Sequence, residues 1–316
     1  MLLLKRSEIE KLVDMKEAID SVEKAFRKYS EGKVIYPPKM QMTPNEDAKT
    51  WWGFMPCYVD EVGLGIKAVS DYEDNKGKGL PTISAVYVLL DEKSGQAKAI
   101  MDANYLTALR TGALGGIAAK YLSREDAATV GVFGCGTQAK TQLEGVCAVR
   151  RITEALVVDK SKEYAERFKE EMSKKLGITI KIAKPEQAAG CDIVIGATTS
   201  RTPVILGKWV KEGAHVTSIG AHTPDAREVD DELVKRAKVV VDCPDAFKSG
   251  DIIKVAQVET ASIKDIIAGK KKVRQSDSDI TLFKTSGTAI QDVAVASLVF
   301  NKAKASGVGK ELDLSR

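Results

Sequence analysis

Hydrophobic positions recur along this chain in two rhythms. In residues 7–30, Leu12, Met15, Ile19, Val22 and Phe26 fall at three- and four-residue steps, which places them on one face of a helix, and Gly32 supplies a stop. From Lys39 to Ile100, short apolar runs such as Trp51-Trp52-Gly53-Phe54, Gly65-Ile66-Lys67-Ala68-Val69, Ser84 to Leu90 and Lys98 to Met101 are separated by turn-like clusters. That pattern predicts a mostly antiparallel sheet. The stretch from Asn104 to Leu122, rich in Ala and Leu, predicts a helix whose three glycines let a neighbouring backbone come close.

From Ala127 the rhythm becomes an alternation of strands and helices. Strands are predicted at 127–133, 155–158, 178–182, 192–196, 214–219 and 238–242, with helices starting near 137 and over 161–175. Repeated βαβ units of this kind form a Rossmann-type, doubly wound parallel sheet, so the fold class is α/β. Residues Ala289 to Ser306 return to helical spacing and are expected to pack back on the first part of the chain. A length of 316 residues fits two domains.

Composition narrows the function classes. With 44% hydrophobic and 29% charged residues the chain is globular in type. No apolar run approaches the roughly 20 residues that span a bilayer, and the opening Met1-Leu2-Leu3-Leu4-Lys5-Arg6 carries its charges after its apolar residues, the reverse of a signal peptide. The expectation is a cytoplasmic protein without a membrane partner. The net charge of +4 comes from 48 basic and 44 acidic residues scattered along the chain, not from a basic stripe with interleaved aromatics, so no nucleic-acid partner is expected. Cys57, Cys135, Cys147, Cys191 and Cys243 are widely spaced and form no C-x-x-C pair, which points to neither disulfides nor a metal site.

The segment Gly134-Cys135-Gly136-Thr137-Gln138-Ala139 follows a predicted strand and opens a predicted helix. In such a G-x-G-x-x-A element, Gly134 permits the tight turn, Gly136 lets backbone approach a pyrophosphate, and Ala139 allows the helix to pack closely on the sheet. The next strand ends at Asp159, at the spacing of a carboxylate that accepts hydrogen bonds from the adenosine ribose. An acid there favours NAD(H). Lys160-Ser161-Lys162 would accommodate a 2′-phosphate, so NADP(H) stays an alternative.

Three further positions carry candidate chemistry, each with two open readings. Lys67 lies inside an apolar strand: it is either a lysine on the solvent face of a half-buried strand, or a buried ammonium with a pKa depressed toward proton transfer. Arg110-Thr111 interrupts an apolar helix, where a guanidinium clamps a carboxylate or phosphate, or else is simply exposed. His222 follows a strand of the parallel sheet at its carboxyl edge, and is either a proton-exchanging group or a structural histidine. His215, within a strand, reads as structural.

Tyr36-Pro37-Pro38-Lys39, Met55-Pro56, Gly65-Ile66-Lys67, Gly79-Leu80-Pro81-Thr82, the run from Ala108 to Tyr121, the glycine turn, and Ser286 to Asp292 together resemble the ornithine cyclodeaminase and μ-crystallin family, which includes archaeal-type alanine dehydrogenase and ketimine reductases. The resemblance spans nearly the whole chain. It implies a substrate and dimerisation domain of α+β type built from residues 1–118 and 285–316, a Rossmann domain over 119–284, and a homodimer. It also implies that Lys67 lies beside the substrate as proton donor and that Lys39 helps hold the substrate carboxylate. Arg110 and Thr82 would meet cofactor phosphate or nicotinamide-side atoms, with Thr111, Thr137, Gln138, Asp159, Thr198, Ile219, Ala221 and Thr285 lining the same groove. Two departures stand out. His222 replaces the aspartate of cyclodeaminases, and Gly53 stands where alanine dehydrogenases have arginine and cyclodeaminases glutamate.

The expected activity is hydride transfer between NAD(H) and the α-carbon of a small α-imino or α-amino acid, with Lys67 or His222 moving the proton and Lys39 and Arg110 on the carboxylate. The runner-up is ornithine cyclodeamination, and a third reading is a non-catalytic ligand-binding protein.

Overall fold

Polar caps and alternating strands decide where the elements begin and end. The structure is a computed structural model describing residues 1–44, 50–75, 78–255 and 259–313; residues 314–316, the tail of the expected first domain, lie outside the described residues. The chain divides into a first unit of Met1–Arg110 with Thr288–Arg316 and a second of Thr111–Gly287. In chain order the first unit begins with β1 (Leu2–Leu4), α1 (Arg6–Leu12), α2 (Met15–Ser30), β2 (Val34–Ile35), β3 (Met40–Met42), β4 (Thr50–Val59), β5 (Gly63–Tyr72), β6 (Ile83–Leu90) and β7 (Ala97–Asp102). The helix α3 (Ala103–Leu122) contains the division, between Arg110 and Thr111.

The single helix expected over 7–30 is two helices. Val13 is extended (φ −133°), and Asp14 caps α2 by accepting from Glu17 N at 2.9 Å while Glu17 accepts from Asp14 N at 3.1 Å, a reciprocal box that starts a new helix. The sheet of this unit runs β1-β7-β6-β5-β4-β2, with β3 also on β4; its pairings are antiparallel except β1 on β7. Side chains alternate across it. Met55, Cys57, Val59, Lys67, Tyr87, Leu89, Ala99 and Met101 form the buried face. The opposite face carries Phe54, Pro56, Ile66, Val86, Val88 and Ile100, all at least partly exposed, with Val86 at 39%.

The second unit contains β8 (Thr129–Phe133), α4 (Thr137–Val149), β9 (Glu154–Val158), α5 (Lys162–Leu176), β10 (Thr179–Ile182), α6 (Pro185–Ala189), β11 (Ile193–Gly196), β12 (His215–Ser218), α7 (Asp231–Arg236), β13 (Lys238–Val241), β14 (Thr260–Ser262), α8 (Ile263–Ile267) and β15 (Thr281–Lys284). Its strands are parallel throughout, in the order β10-β9-β8-β11-β12-β15-β13-β14. Two apolar clusters cover it: Leu143, Val146, Phe168 and Met172 of α4 and α5 belong to one, and Ala188, Leu233 and Val234 of α6 and α7 to the other. This is the doubly wound α/β fold. The strand β15 was not predicted from sequence, and it inserts between β12 and β13. The glycines of α3 do permit backbone contact, since a Cβ at Gly112 would lie 2.3 Å from Thr141 O, and one at Gly115 would overlap Gln142.

The chain then returns to the first unit with α9 (Ala289–Ser306) and β16 (Lys310–Glu311), which pairs with β1. Helix α9 packs on α2 and on the buried face of β4 and β5, so it is apolar nearly all round. Among the described residues no helix is long and apolar enough to cross a membrane.

Candidate active site

In the second unit, the glycine turn is shaped by two different demands. Gly134 has φ +90°, and a Cβ there would fall 2.4 Å from Ala197 O, so conformation and space both exclude a side chain. Gly136 has an ordinary φ of −85°, and a Cβ there would meet nothing within 4 Å. The fold does not need glycine at that point, whereas a phosphate approaching the backbone would. Gly136 is also the N-cap of α4 and offers no side-chain cap, so the first N–H groups of the helix face an anion-favouring end. Asp159, at the end of β9, accepts from Cys135 N and Ser161 N, each at 2.8 Å, which fixes its carboxylate beside the turn. Gln138 keeps a buried Oε1 with no hydrogen-bond partner among the described residues. Turn, open backbone, helix end and carboxylate therefore fit a dinucleotide.

In the first unit, Lys67 is 2% exposed, which closes the solvent-face reading. Its Nζ lies 2.8 Å from Asp292 Oδ2, and Asp292, in the first turn of α9, is fully buried. Arg110 Nε donates to Asp292 Oδ1 at 2.9 Å, and Arg110 Nη1 donates to Gln291 Oε1 at 2.6 Å. Two cations thus share one carboxylate. Burial drives the Lys67 pKa down, the Arg110 charge adds to this, and Asp292 opposes it, leaving the ammonium at about 7. Burial pushes Asp292 upward, but Arg110 and Lys67 outweigh it and hold the carboxylate below its usual range. Opposite Lys67 across the sheet, Tyr87 is buried with a hydroxyl that lacks a hydrogen-bond partner among the described residues, and burial raises its pKa. A buried ammonium poised near neutrality beside a carboxylate is a group able to give up and take back a proton.

The profile of the ornithine cyclodeaminase/mu-crystallin family matches residues 1–307. The chain belongs to this family. It is 41% identical over 323 residues to an alanine dehydrogenase of Archaeoglobus fulgidus, covering 100% of this chain and 99% of that protein. Among solved structures, the Thermococcus litoralis Δ1-pyrroline-2-carboxylate reductase in complex with NADH and L-proline has 44% identity and a TM-score of 0.94, covering 99% of this chain and 100% of that one. A dimeric archaeal alanine dehydrogenase with bound NAD has 39% identity and a TM-score of 0.93, covering 99% of each chain.

Within this family member, the sequence-derived residues fall into separate groups. Lys67 and Arg110 meet in the first unit. There Arg110 clamps a carboxylate of the protein itself: Nε and Nη1 are committed to Asp292 and Gln291, which leaves Nη2 outside those two bonds. Its exposed-helix reading falls, since it is 6% exposed. Lys39 stacks its ammonium over Trp51, 4.6 Å from the ring centroid. At Gly53, a Cβ would lie 2.8 Å from the Trp51 ring and 3.5 Å from Lys39 Cε, so these two side chains occupy that space. Thr82 is half-buried, and its carbonyl accepts from Tyr72 N.

In the second unit, Gly134, Gly136, Thr137, Gln138 and Asp159 surround the turn, while Thr198 follows β11 and Ile219 and Ala221 follow β12 at the carboxyl edge. Thr285 is buried and donates to Asp242 Oδ2 at 2.6 Å, and Thr111 lends its carbonyl to Gln142 Nε2 at 2.8 Å. His222 is exposed on the loop beyond β12. His215 sits between Thr281 Oγ1 at 2.9 Å and Thr217 Oγ1 at 3.0 Å, and burial lowers its pKa to about 3, which is a neutral structural role. Sequence reasoning missed Asp292 and Gln291 as site residues, and it missed a buried cluster of Ser218, Glu228, Asp251 and Lys284. For Asp292 and Lys284 the available signal was charge inside otherwise apolar segments. Among the described residues, no group of three or more His, Cys, Asp or Glu is placed to hold a metal.

Proposed function

We propose that this protein is an NAD(H)-dependent oxidoreductase that transfers hydride between nicotinamide and the α-carbon of a small α-imino or α-amino acid. The observation that carries the reading is the buried Lys67–Asp292–Arg110 centre in a chain that also bears a dinucleotide turn. Relatives that are a pyrroline-2-carboxylate reductase bound to NADH and L-proline and an alanine dehydrogenase support it.

Gly134, Gly136, Thr137, Gln138 and Asp159 would hold the cofactor, with Thr198, Ile219, Ala221 and Thr285 completing the site; Thr82, Arg110 and Thr111 are assigned to the same ligand. Asp159 favours NAD(H) over NADP(H). Bound NADH supplies the hydride. Lys39, with the remaining Arg110 nitrogen, would hold the substrate carboxylate, and fixing the α-carbon in this way removes orientational freedom ahead of reaction. As the C=N electron pair moves to nitrogen, Lys67 delivers a proton from Nζ and is left neutral in its apolar wall. His222, exposed on its loop, is the second candidate for that proton. A preformed cyclic imine needs no group to manage a departing amine, which suits histidine in place of the cyclodeaminase aspartate.

The direct test is loss of reduced-nicotinamide absorbance with pyrroline-2-carboxylate, piperideine-2-carboxylate, or pyruvate plus ammonia, using NADH and NADPH in parallel, while ammonia release is followed from ornithine. Rapid NADH loss with one of the first three is expected. Ammonia from ornithine without net NADH change would replace the reading with cyclodeamination.

We also assign a homodimer. The half-exposed apolar face of Phe54, Ile66, Val86 and Val88 supports this, since monomers seldom expose a continuous apolar sheet face. A related alanine dehydrogenase is a dimer. Val86→Glu is expected to shift the mass seen by light scattering from two subunits to one, and an unchanged dimer would place the interface elsewhere.

A further inference from the structure

Beneath the carboxyl edge of the parallel sheet lies a charged cluster that no step above uses. Glu228, Asp251, Ser218 and Lys284 are all 0% exposed. Glu228 Oε1 accepts from Thr198 N at 2.6 Å, and its Oε2 accepts from Gly220 N at 2.7 Å. Ser218 Oγ lies 2.8 Å from Glu228 Oε2 and 2.6 Å from Asp251 Oδ2, and Lys284 Nζ reaches Ser218 Oγ at 3.0 Å and Asp251 Oδ2 at 3.1 Å. Asp251 Oδ1 in turn accepts from Glu228 N at 2.7 Å and Val229 N at 3.1 Å, which holds the Glu228 backbone in place.

The two amides that Glu228 collects belong to different loops, one leaving β11 and the other leaving β12. These loops already touch, since a Cβ at Gly220 would fall 1.9 Å from Thr198 O. A neutral side chain could fill this space without the cost of burying a charge. Only a carboxylate accepts both N–H groups at once through two oxygens.

The sheet order shows which half of a dinucleotide these loops face. Asp159 ends β9, on one side of β8 and its glycine turn, whereas β11 and β12 lie on the other. With the adenosine ribose on Asp159, the rest of the molecule extends across the ends of β11 and β12.

We infer that Glu228 is a positioning residue for the nicotinamide half of the cofactor, cross-bracing the β11 and β12 loops from below. The inference rests on the dinucleotide site proposed above. It predicts that the brace is selective. Losing it disturbs the nicotinamide side while leaving the adenosine side, held by Asp159 and the glycine turn, unchanged.

The test compares NADH with ADP-ribose, which lacks nicotinamide, by titration calorimetry on the full chain and on Glu228→Gln. Glutamine accepts one amide but turns an NH₂ toward the other. Loss of one charge-assisted bond should weaken NADH binding about tenfold, roughly 1.4 kcal/mol, with ADP-ribose affinity held within about twofold. Equal losses for both ligands, or none for either, would overturn the inference. Failure of the unaltered protein to bind either ligand would instead remove the dinucleotide reading beneath it. A second measurement does not depend on the variant folding: the Thr198 and Gly220 amides of the unaltered, ligand-free protein should exchange with solvent slowly, and fast exchange at both would overturn the inference as well.

Discussion

Lys67→Ala should lower turnover by about 10²–10⁴-fold, the usual contribution of a positioned acid–base group, while NADH affinity changes little. The separation is expected because Lys67 is not among the residues assigned to the cofactor, and the glycine turn and Asp159 that would hold the dinucleotide are untouched by the substitution. Its pH signature follows from the ammonium pushed down to about 7, first by burial, then by the charges of Arg110 and Lys39 against the opposing pull of Asp292. Reduction of the imine needs the protonated lysine, so its rate falls as pH rises through about 7. Oxidation of the amino acid needs the neutral amine, so its rate rises over the same interval. Rate profiles in both directions, recorded on the unaltered protein and on Lys67→Ala, check this together. Near-normal turnover in the variant would transfer the proton step to His222 or to solvent.

Asp292→Asn is expected to produce the largest loss of stability. The carboxylate is fully buried and faces two buried cations. Breaking such a group by removing one partner typically costs about 3–5 kcal/mol, because the charges left behind keep their desolvation penalty. Lys67 also loses the carboxylate that favours its charge, so its pKa drops further and the imine-reducing limb of the pH profile moves to lower pH. Denaturant unfolding of Asp292→Asn, Lys67→Met and the double variant forms a cycle. Below the lowered Lys67 pKa, the double variant should be more stable than Asp292→Asn alone, since one stranded cation is gone. A strictly additive result would show that Lys67 and Asp292 do not stabilise each other.

The long-period features of the fold were legible because they recur many times. Helical spacing in α2 and α9, and strand–helix alternation from β8 onward, depend on no single residue. The break at Val13–Asp14 was hidden because the apolar spacing runs straight through it, and only the Asp14–Glu17 box betrays the new start. Thr281–Lys284 is too short to show a period, and it is recognisable as a strand only once β12 and β13 are seen to need a shared neighbour.

The site divided in the same way. Gly134, Gly136 and Asp159 are close in sequence and carry their chemistry locally. Lys67 could not be assigned to a face because strand alternation gives two faces and does not say which one a distant helix covers. Asp292 was missed for a related reason: its bond to Arg110 spans 182 residues, so nothing beside it in the sequence shows that an acid in an apolar helix has partners. Glu228 follows a loop with no pattern of its own, and its role depends on two amides brought together by adjacent parallel strands.

The late arrival of β15 bears on how the protein is made. Strands β10, β9, β8, β11 and β12 can pair as soon as the chain has passed Ser218, but β13 and β14 have no seat on that sheet until Thr281–Lys284 is available to join them. In the first unit, the buried face carrying Lys67 waits for α9. A nascent chain emerging in order therefore leaves the β12 edge of the parallel sheet and the Lys67 face of the first sheet uncovered until residues beyond Thr281 have left the ribosome, and over that interval these apolar surfaces are exposed to other chains.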